Sequence, residues 1–290
     1  MAAKQPLSIL VTGVGGGGHG EQILKALRLA QTPLRIVGGD MSSFASGLQK
    51  VDSAYLLPPA SDLDYIDVIL EVCRIENVRV LFHGSEPELK LFSKERARLE
   101  AAGLFVPINP AHVIEKCMDK VRTCEFLSAN GFAVPEFRKV RSAADALSFP
   151  HYPAILKPSV GGGGSANVYL VQDPGEVEVL ARQLLAVYPE FIIQAYVGTP
   201  DHEFTVGVLS DMDGNLIHSI GVRRYILSSL SNRIKVPNRS KNSRLGPVLA
   251  VSSGVSQGEI GRFPEVCEPC ERIAKALGAR GPLNIQCRFV

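Results

Sequence analysis

Residues 153–165 read Pro153-Ala154-Ile155-Leu156-Lys157-Pro158-Ser159-Val160-Gly161-Gly162-Gly163-Gly164-Ser165. A short apolar strand ends in a lysine and runs into four consecutive glycines, a backbone able to close over phosphates. A cation about 4 Å from a phosphate oxygen gains roughly 4 kcal/mol at an effective dielectric near 20. A plain hairpin turn is the alternative reading. No Walker A motif is present, because no glycine cluster in the chain runs into Gly-Lys-Ser or Gly-Lys-Thr.

Working outward from this stretch, strand patterns follow at ANVYLVQ (166–172), FIIQAYV (191–197), EFTVGVLSD (203–211) and NLIHSIGVRR (215–224), with Asp213-Gly214 as a hairpin turn. Asp173, Pro174 and Glu176 open a helix that turns Val177, Leu180 and Leu184 inward. Another helical stretch covers residues 119–130. This half therefore reads as α+β.

Upstream, short apolar runs alternate with amphipathic ones. SILVTG (8–13), LRIVGGD (34–40), VRVLFHG (78–84) and LFVPIN (104–109) read as four strands. Between them lie helices carrying Ile23, Leu27 and Ala30, then Ile66, Ile69 and Cys73 behind a Ser61/Asp64 capping box, then a charged helix over 86–102. The alternation predicts a doubly wound parallel α/β sheet. Its first turn, Gly13-Val14-Gly15-Gly16-Gly17-Gly18, satisfies G-x-G-x-x-G, and Asp40 ends the second strand where a ribose-binding acid is expected. An NAD(P)-binding oxidoreductase is thus one reading.

The chain has 290 residues, 46% hydrophobic and 21% charged, with a net charge of +2, which excludes disordered and fibrous classes. No run reaches the ~18 apolar residues of a membrane helix, and the first residues lack a signal peptide's apolar core. Six cysteines without a disulfide-like framework predict a reduced, cytoplasmic protein with no membrane partner. Arg223, Arg224, Arg233, Lys235, Arg239, Lys241 and Arg244 form a basic run without an acid; the near-neutral chain argues against a nucleic-acid partner and for a segment facing phosphate or carboxylate. A noncatalytic nucleotide-binding or basic interaction module is a third class. Cys267-x-x-Cys270 lacks a second pair for zinc, His19 stands beside the first glycine loop, and Glu86 and Glu88 open a helix at the sheet's carboxyl edge.

The strand lysine with its glycines, then QAYVGTPDHEFTVGVL (194–209), then GPLNIQCRFV (281–290) resemble the ATP-grasp superfamily, and among its members the carbamoyl-phosphate-synthase-like enzymes. The resemblance implies a pre-ATP-grasp domain over 1–115, a small lobe with a glycine-rich lid over 116–190, and an incomplete large lobe over 191–290. It implies phosphate contacts from Lys120 and Lys157, and a lid of Gly161, Gly162, Gly163, Gly164 and Ser165. It assigns an adenine-binding hinge to Gln194, Ala195, Tyr196 and Val197, and a ribose-binding acid to Glu203. Arg223 and Arg224 would act on phosphate or substrate carboxylate, and Gln286 matches one metal ligand.

The implied chemistry is activation of a small-molecule carboxylate by ATP as an acylphosphate, for attack by an amine or similar nucleophile. Positioning and electrostatics carry such a transfer, and two lysines do not balance a triphosphate and a carboxylate, so Mg²⁺ (or Mn²⁺) is expected. The family's Glu and Asn ligands fall ten to fifteen residues beyond Gln286, and the sequence ends at Val290. A truncated product, or a homodimer or partner chain supplying that strand, is the expectation, with weak nucleotide binding and little turnover by this chain alone.

Overall fold

The computed structural model describes residues 5–161, 165–228 and 230–290. It divides into two compact units, Met1–Ala111 and His112–Val290.

In the first unit the elements run β1 (Leu7–Thr12), α1 (His19–Leu27), β2 (Leu34–Asp40), β3 (Ser53–Leu56), α2 (Tyr65–Ile75), β4 (Val80–Phe82), α3 (Glu86–Lys94) and α4 (Arg96–Ala101). The sheet is parallel with order β3-β2-β1-β4. Central β1 is buried at every position from Ser8 to Thr12, and its Ile9 and Val11 pack with Val14, Leu24 and Ile36.

Three local expectations are corrected. The fourth strand is Ser53–Leu56; LFVPIN forms only a single bridge, Val80 to Phe105, because Pro107 has no N–H with which to extend the ladder. Asp64 precedes α2 without a side-chain cap, so the Ser61/Asp64 box is not formed. The charged helix breaks at Glu95 into α3 and α4.

In the second unit come α5 (Ala111–Cys117, starting at the division), α6 (Lys120–Ala129), β5 (Phe137–Val140), α7 (Ala143–Leu147), β6 (Ala154–Pro158), β7 (Tyr169–Val171), α8 (Pro174–Leu185) and β8 (Phe191–Ala195). Their strands make an antiparallel sheet ordered β5-β8-β6-β7. Its core joins Val140, Leu156, Phe191 and Ile193 to Val177, Ala181 and Leu184 of α8. The Asp173 carboxylate caps α8 by accepting from the Glu176 N–H at 3.0 Å.

The chain continues through β9 (Glu203–Ser210), β10 (Leu216–Arg224), β11 (Asn232–Pro237), β12 (Val248–Ser252), β13 (Gly258–Gly261), α9 (Pro264–Leu277) and β14 (Gly281–Arg288). A second antiparallel sheet has order β13-β10-β9-β14, and β11 pairs with β12 as a ribbon. Phe204, Val206 and Val208 of β9 face α9, packing on Val266, Cys267, Cys270 and Ala274. Period-2 alternation therefore turns Glu203 and Thr205 to the opposite face.

Candidate nucleotide site

The site begins with a cap. Asp119 precedes α6, and its Oδ1 accepts from the amides of Val121 (2.9 Å) and Arg122 (3.2 Å) and from the Ser159 hydroxyl (2.6 Å). Burial pushes the Asp119 pKa up, but the Ser159 hydroxyl and the two amides outweigh it and hold the carboxyl below its ordinary range. The Lys120 N–H donates to Ser159 O at 2.9 Å, so the start of α6 is fastened to the chain just past β6. Lys120 Nζ donates to Gly161 O at 2.9 Å.

On β6, Ala154, Leu156 and Pro158 are buried in the core, which leaves Ile155 and Lys157 on the other face. There Lys157 Nζ donates to Gln194 Oε1 at 2.9 Å, and Gln194 Nε2 lies 3.6 Å from Cys124 Sγ. Desolvation pushes the Lys157 pKa below its ordinary value; neighbouring Lys120 adds to this, and Cys124 opposes it. Among the described residues no carboxylate pairs with this ammonium.

After β8 the hinge is bound tightly. The buried Tyr196 hydroxyl donates to Ala250 O (3.2 Å) and accepts from Ala250 N (3.0 Å). Glu203 is 4% exposed. Its Oε1 accepts from Arg224 Nη1 (3.1 Å) and Gln286 Nε2 (2.7 Å), and its Oε2 from Arg288 Nε (3.2 Å) and Nη2 (3.0 Å). All four acceptor positions of the carboxylate are thus filled, and a ribose hydroxyl reaching Glu203 must displace one of these partners.

Arg224, 2% exposed, also donates to Ser252 Oγ, Ser253 O and Val255 O, leaving only Nε without a partner. Burial lowers its pKa and Glu203 counters that effect. Arg223 lies on the opposite face of β10 and donates to Asp201 O at 3.2 Å. The two arginines therefore do not converge on one ligand.

Lys120, Lys157, Gly161 and Gln194 come together at the start of the site, while Tyr196, Val197, Glu203, Arg224 and Gln286 belong to one connected network. Ser165 Oγ donates to Ser252 O at 2.7 Å, and Gly162, Gly163 and Gly164 lie outside the described residues. Sequence reasoning missed Ser252 and Arg288. Arg288 was findable, since it stands two residues after Gln286 on a strand and so shares its face.

For a metal, Gln286 offers one atom. Both Nε2 hydrogens are taken by Glu203 and Ser252 Oγ (3.0 Å), which leaves Oε1 as the open acceptor. With Glu203 filled, and no cluster of three metal-ligating side chains among the described residues, these residues do not by themselves fit Mg²⁺.

The first glycine loop answers the oxidoreductase reading. The Gly15 N–H donates to Asp40 Oδ2 and the Gly17 N–H to Glu21 Oε2, each at 2.9 Å. Carboxylates of the chain itself thus occupy amides that a pyrophosphate needs, and Asp40 is turned to the loop instead of a ribose. Within the loop, a Cβ on Gly15 would lie 2.6 Å from the Ala45 Cβ, while Gly16 and Gly17 take positive φ with open space around them; beside it, a Cβ on Gly20 or Gly84 would lie 2.2 or 2.1 Å from Thr12 O. Glu88 is likewise internal, accepting from Tyr65 Oη (2.5 Å), Gly84 N (3.0 Å) and Ser85 Oγ (2.9 Å). The basic run is dispersed: Arg224 is buried, Arg239 pairs with Asp173 and Glu176, and Arg233 and Lys235 are exposed.

The two-part fold is matched by family models of known proteins. Residues 9–107 match the family model "PylC-like, N-terminal domain", and residues 117–281, more than half of the chain, match "ATP-grasp domain". The chain belongs to the ATP-grasp family. It is 33% identical over 115 residues to coenzyme gamma-F420-2:alpha-L-glutamate ligase of Methanococcus maripaludis, covering 38% of this chain and 39% of that protein. The chain spans well under half the length of the curated relatives it matches. In fold it is similar to the L-amino acid ligase from Bacillus licheniformis (TM-score 0.63, 21% identity, 99% of this chain, 64% of that one). It is also similar to D-alanine–D-alanine ligase from Bacillus anthracis complexed with ATP (TM-score 0.58, 15% identity, 98% and 82%). No helix among the described residues is long and apolar enough to cross a membrane.

Proposed function

We propose that this chain binds ATP and belongs to a ligase that activates a carboxylate as an acylphosphate for attack by an amine or similar nucleophile, of the carbamoyl-phosphate-synthase-like type. One observation carries the reading: the Lys157 ammonium is desolvated beside a neutral amide, where an anionic phosphate is the partner that electrostatics favours. Lys120 and residues 161–165 supply the phosphate side, and residues 194–197 the adenine side, where the Val197 N–H has no partner among the described residues. Mg²⁺ (or Mn²⁺) accompanies the triphosphate, and Gln286 Oε1 would be one ligand. The reading places the lobes at 116–190 and 191–290 behind a 1–115 domain, in a cytoplasmic protein acting on small molecules. A homodimer or a partner chain fits it.

Thermal melting tests the reading. ATP at a hundred times its Kd stabilises the chain by about 2.7 kcal/mol, and Lys157→Ala abolishes that gain. Equal stabilisation of the Lys157→Ala chain refutes the site.

A further inference from the structure

Arg288 lies on β14 within the GPLNIQCRFV run, where no role was assigned to it, and its guanidinium makes four hydrogen bonds and a ring contact. Nε and Nη2 grip Glu203 Oε2 at 3.2 and 3.0 Å, Nη1 donates to Val197 O at 3.1 Å, and Nη2 donates to Ala250 O at 2.8 Å. The guanidinium carbon sits 4.4 Å from the centroid of the Tyr196 ring, whose hydroxyl is bonded to the same Ala250. One planar fork thus fixes a carbonyl and an aromatic ring of residues 196–197, the ribbon strand β12 and the first residue of β9. A lysine cannot do this, because a point charge lacks the forked donors.

Val197 O belongs to the 197–198 peptide and the Tyr196 ring to the residue before, so Arg288 holds a group on each side of the 196–197 peptide, whose Val197 N–H is the hinge donor left without a protein partner among the described residues. A lone N–H selects a base that presents an acceptor there, as adenine does at N1, over one that presents an N–H, as hypoxanthine does. We propose that Arg288 is a positioning residue for base selection: by clamping the carbonyl of Val197 and the ring of Tyr196, it aims the Val197 N–H at the purine edge. The inference rests on the nucleotide-binding reading and goes beyond it by assigning selectivity to a side chain that does not itself touch the base.

The test is equilibrium binding of ATP, inosine triphosphate and inorganic tripolyphosphate to the full chain and to Arg288→Met and Arg288→Lys, with thermal melting to confirm folding. The unmodified chain prefers ATP to inosine triphosphate. In Arg288→Met, ATP affinity falls about tenfold, the preference between the two nucleotides shrinks toward one, and tripolyphosphate binding stays within twofold, because Lys120 and Lys157 are intact. Arg288→Lys keeps the charge but loses the fork, and it loses the preference too. An unchanged preference in either folded variant overturns the inference, as does a loss of tripolyphosphate affinity as large as that of ATP. Should the unmodified chain bind no ATP, the nucleotide reading falls and this inference with it, a result distinct from ATP binding with unaltered selectivity.

Discussion

Lys157 and Gln194 are diagonal neighbours on one face of the β5-β8-β6-β7 sheet, with the ammonium donating to the carboxamide oxygen at 2.9 Å. The only hydrogen-bond partner of this desolvated cation among the described residues is therefore a neutral dipole. Desolvation lowers its pKa from the usual 10.5. An anionic phosphate beside Lys157 favours the ammonium and raises that pKa again, so binding takes up protons at pH values between the two. ATP affinity accordingly falls as pH rises through that interval. Calorimetry in buffers of different ionisation enthalpy measures the uptake, which Lys157→Met eliminates. Gln194→Met removes the dipole, lowers the pKa further and shifts the onset of weakening to lower pH.

Arg224 shares Glu203 with Arg288 in a buried cluster. Arg224→Met leaves the Glu203 carboxylate short of a partner and costs about 3 kcal/mol, the lower end for breaking a buried pair, since Arg288 remains. Urea unfolding reads this as a lower midpoint with an unchanged slope.

In the first unit, burial pushes the His83 pKa below its ordinary 6.5; the backbone of Ser85 and the Glu88 carboxylate oppose this, and His19 adds to it. A folded-state pKa below the unfolded one means that the unfolded chain binds more protons as pH drops. Stability is therefore full above about 6.5 and is lost as pH falls below that value toward the folded pKa. Thermal melting between pH 7.5 and 5 shows a decline that His83→Gln flattens.

Because Asp40 and Glu21 already hold the Gly15 and Gly17 amides, NADH gives no thermal stabilisation at concentrations where ATP does. A response to NADH that Asp40→Ala removes would show the loop to be a dinucleotide site after all.

What was legible follows from periodicity and chain order. The alternation in residues 154–158 marks both the inward face and the lone lysine opposite, and the runs around Leu10 and Val37 mark the parallel sheet. β3 escaped because an edge strand of four residues, with only alternate positions half-buried, carries little apolar signal. The apolar run at 104–109 overstated its case because hydropathy does not register a missing donor at Pro107. At the site, Lys157 and Gln194 stood out by their positions, whereas the role of Glu203 depends on partners 21 and 85 residues away, Arg224 and Arg288, that only folding brings together.

In its sheet, β14 is bonded to β9 on one side and ends the strand order on the other. Among the described residues no strand pairs with that outer margin, and such a margin is a template onto which an extended segment of matching register can zip. Like β13 at the sheet's other margin, it is one of the seams along which copies of the chain can associate at high concentration, and blunting it with charge weakens that seam.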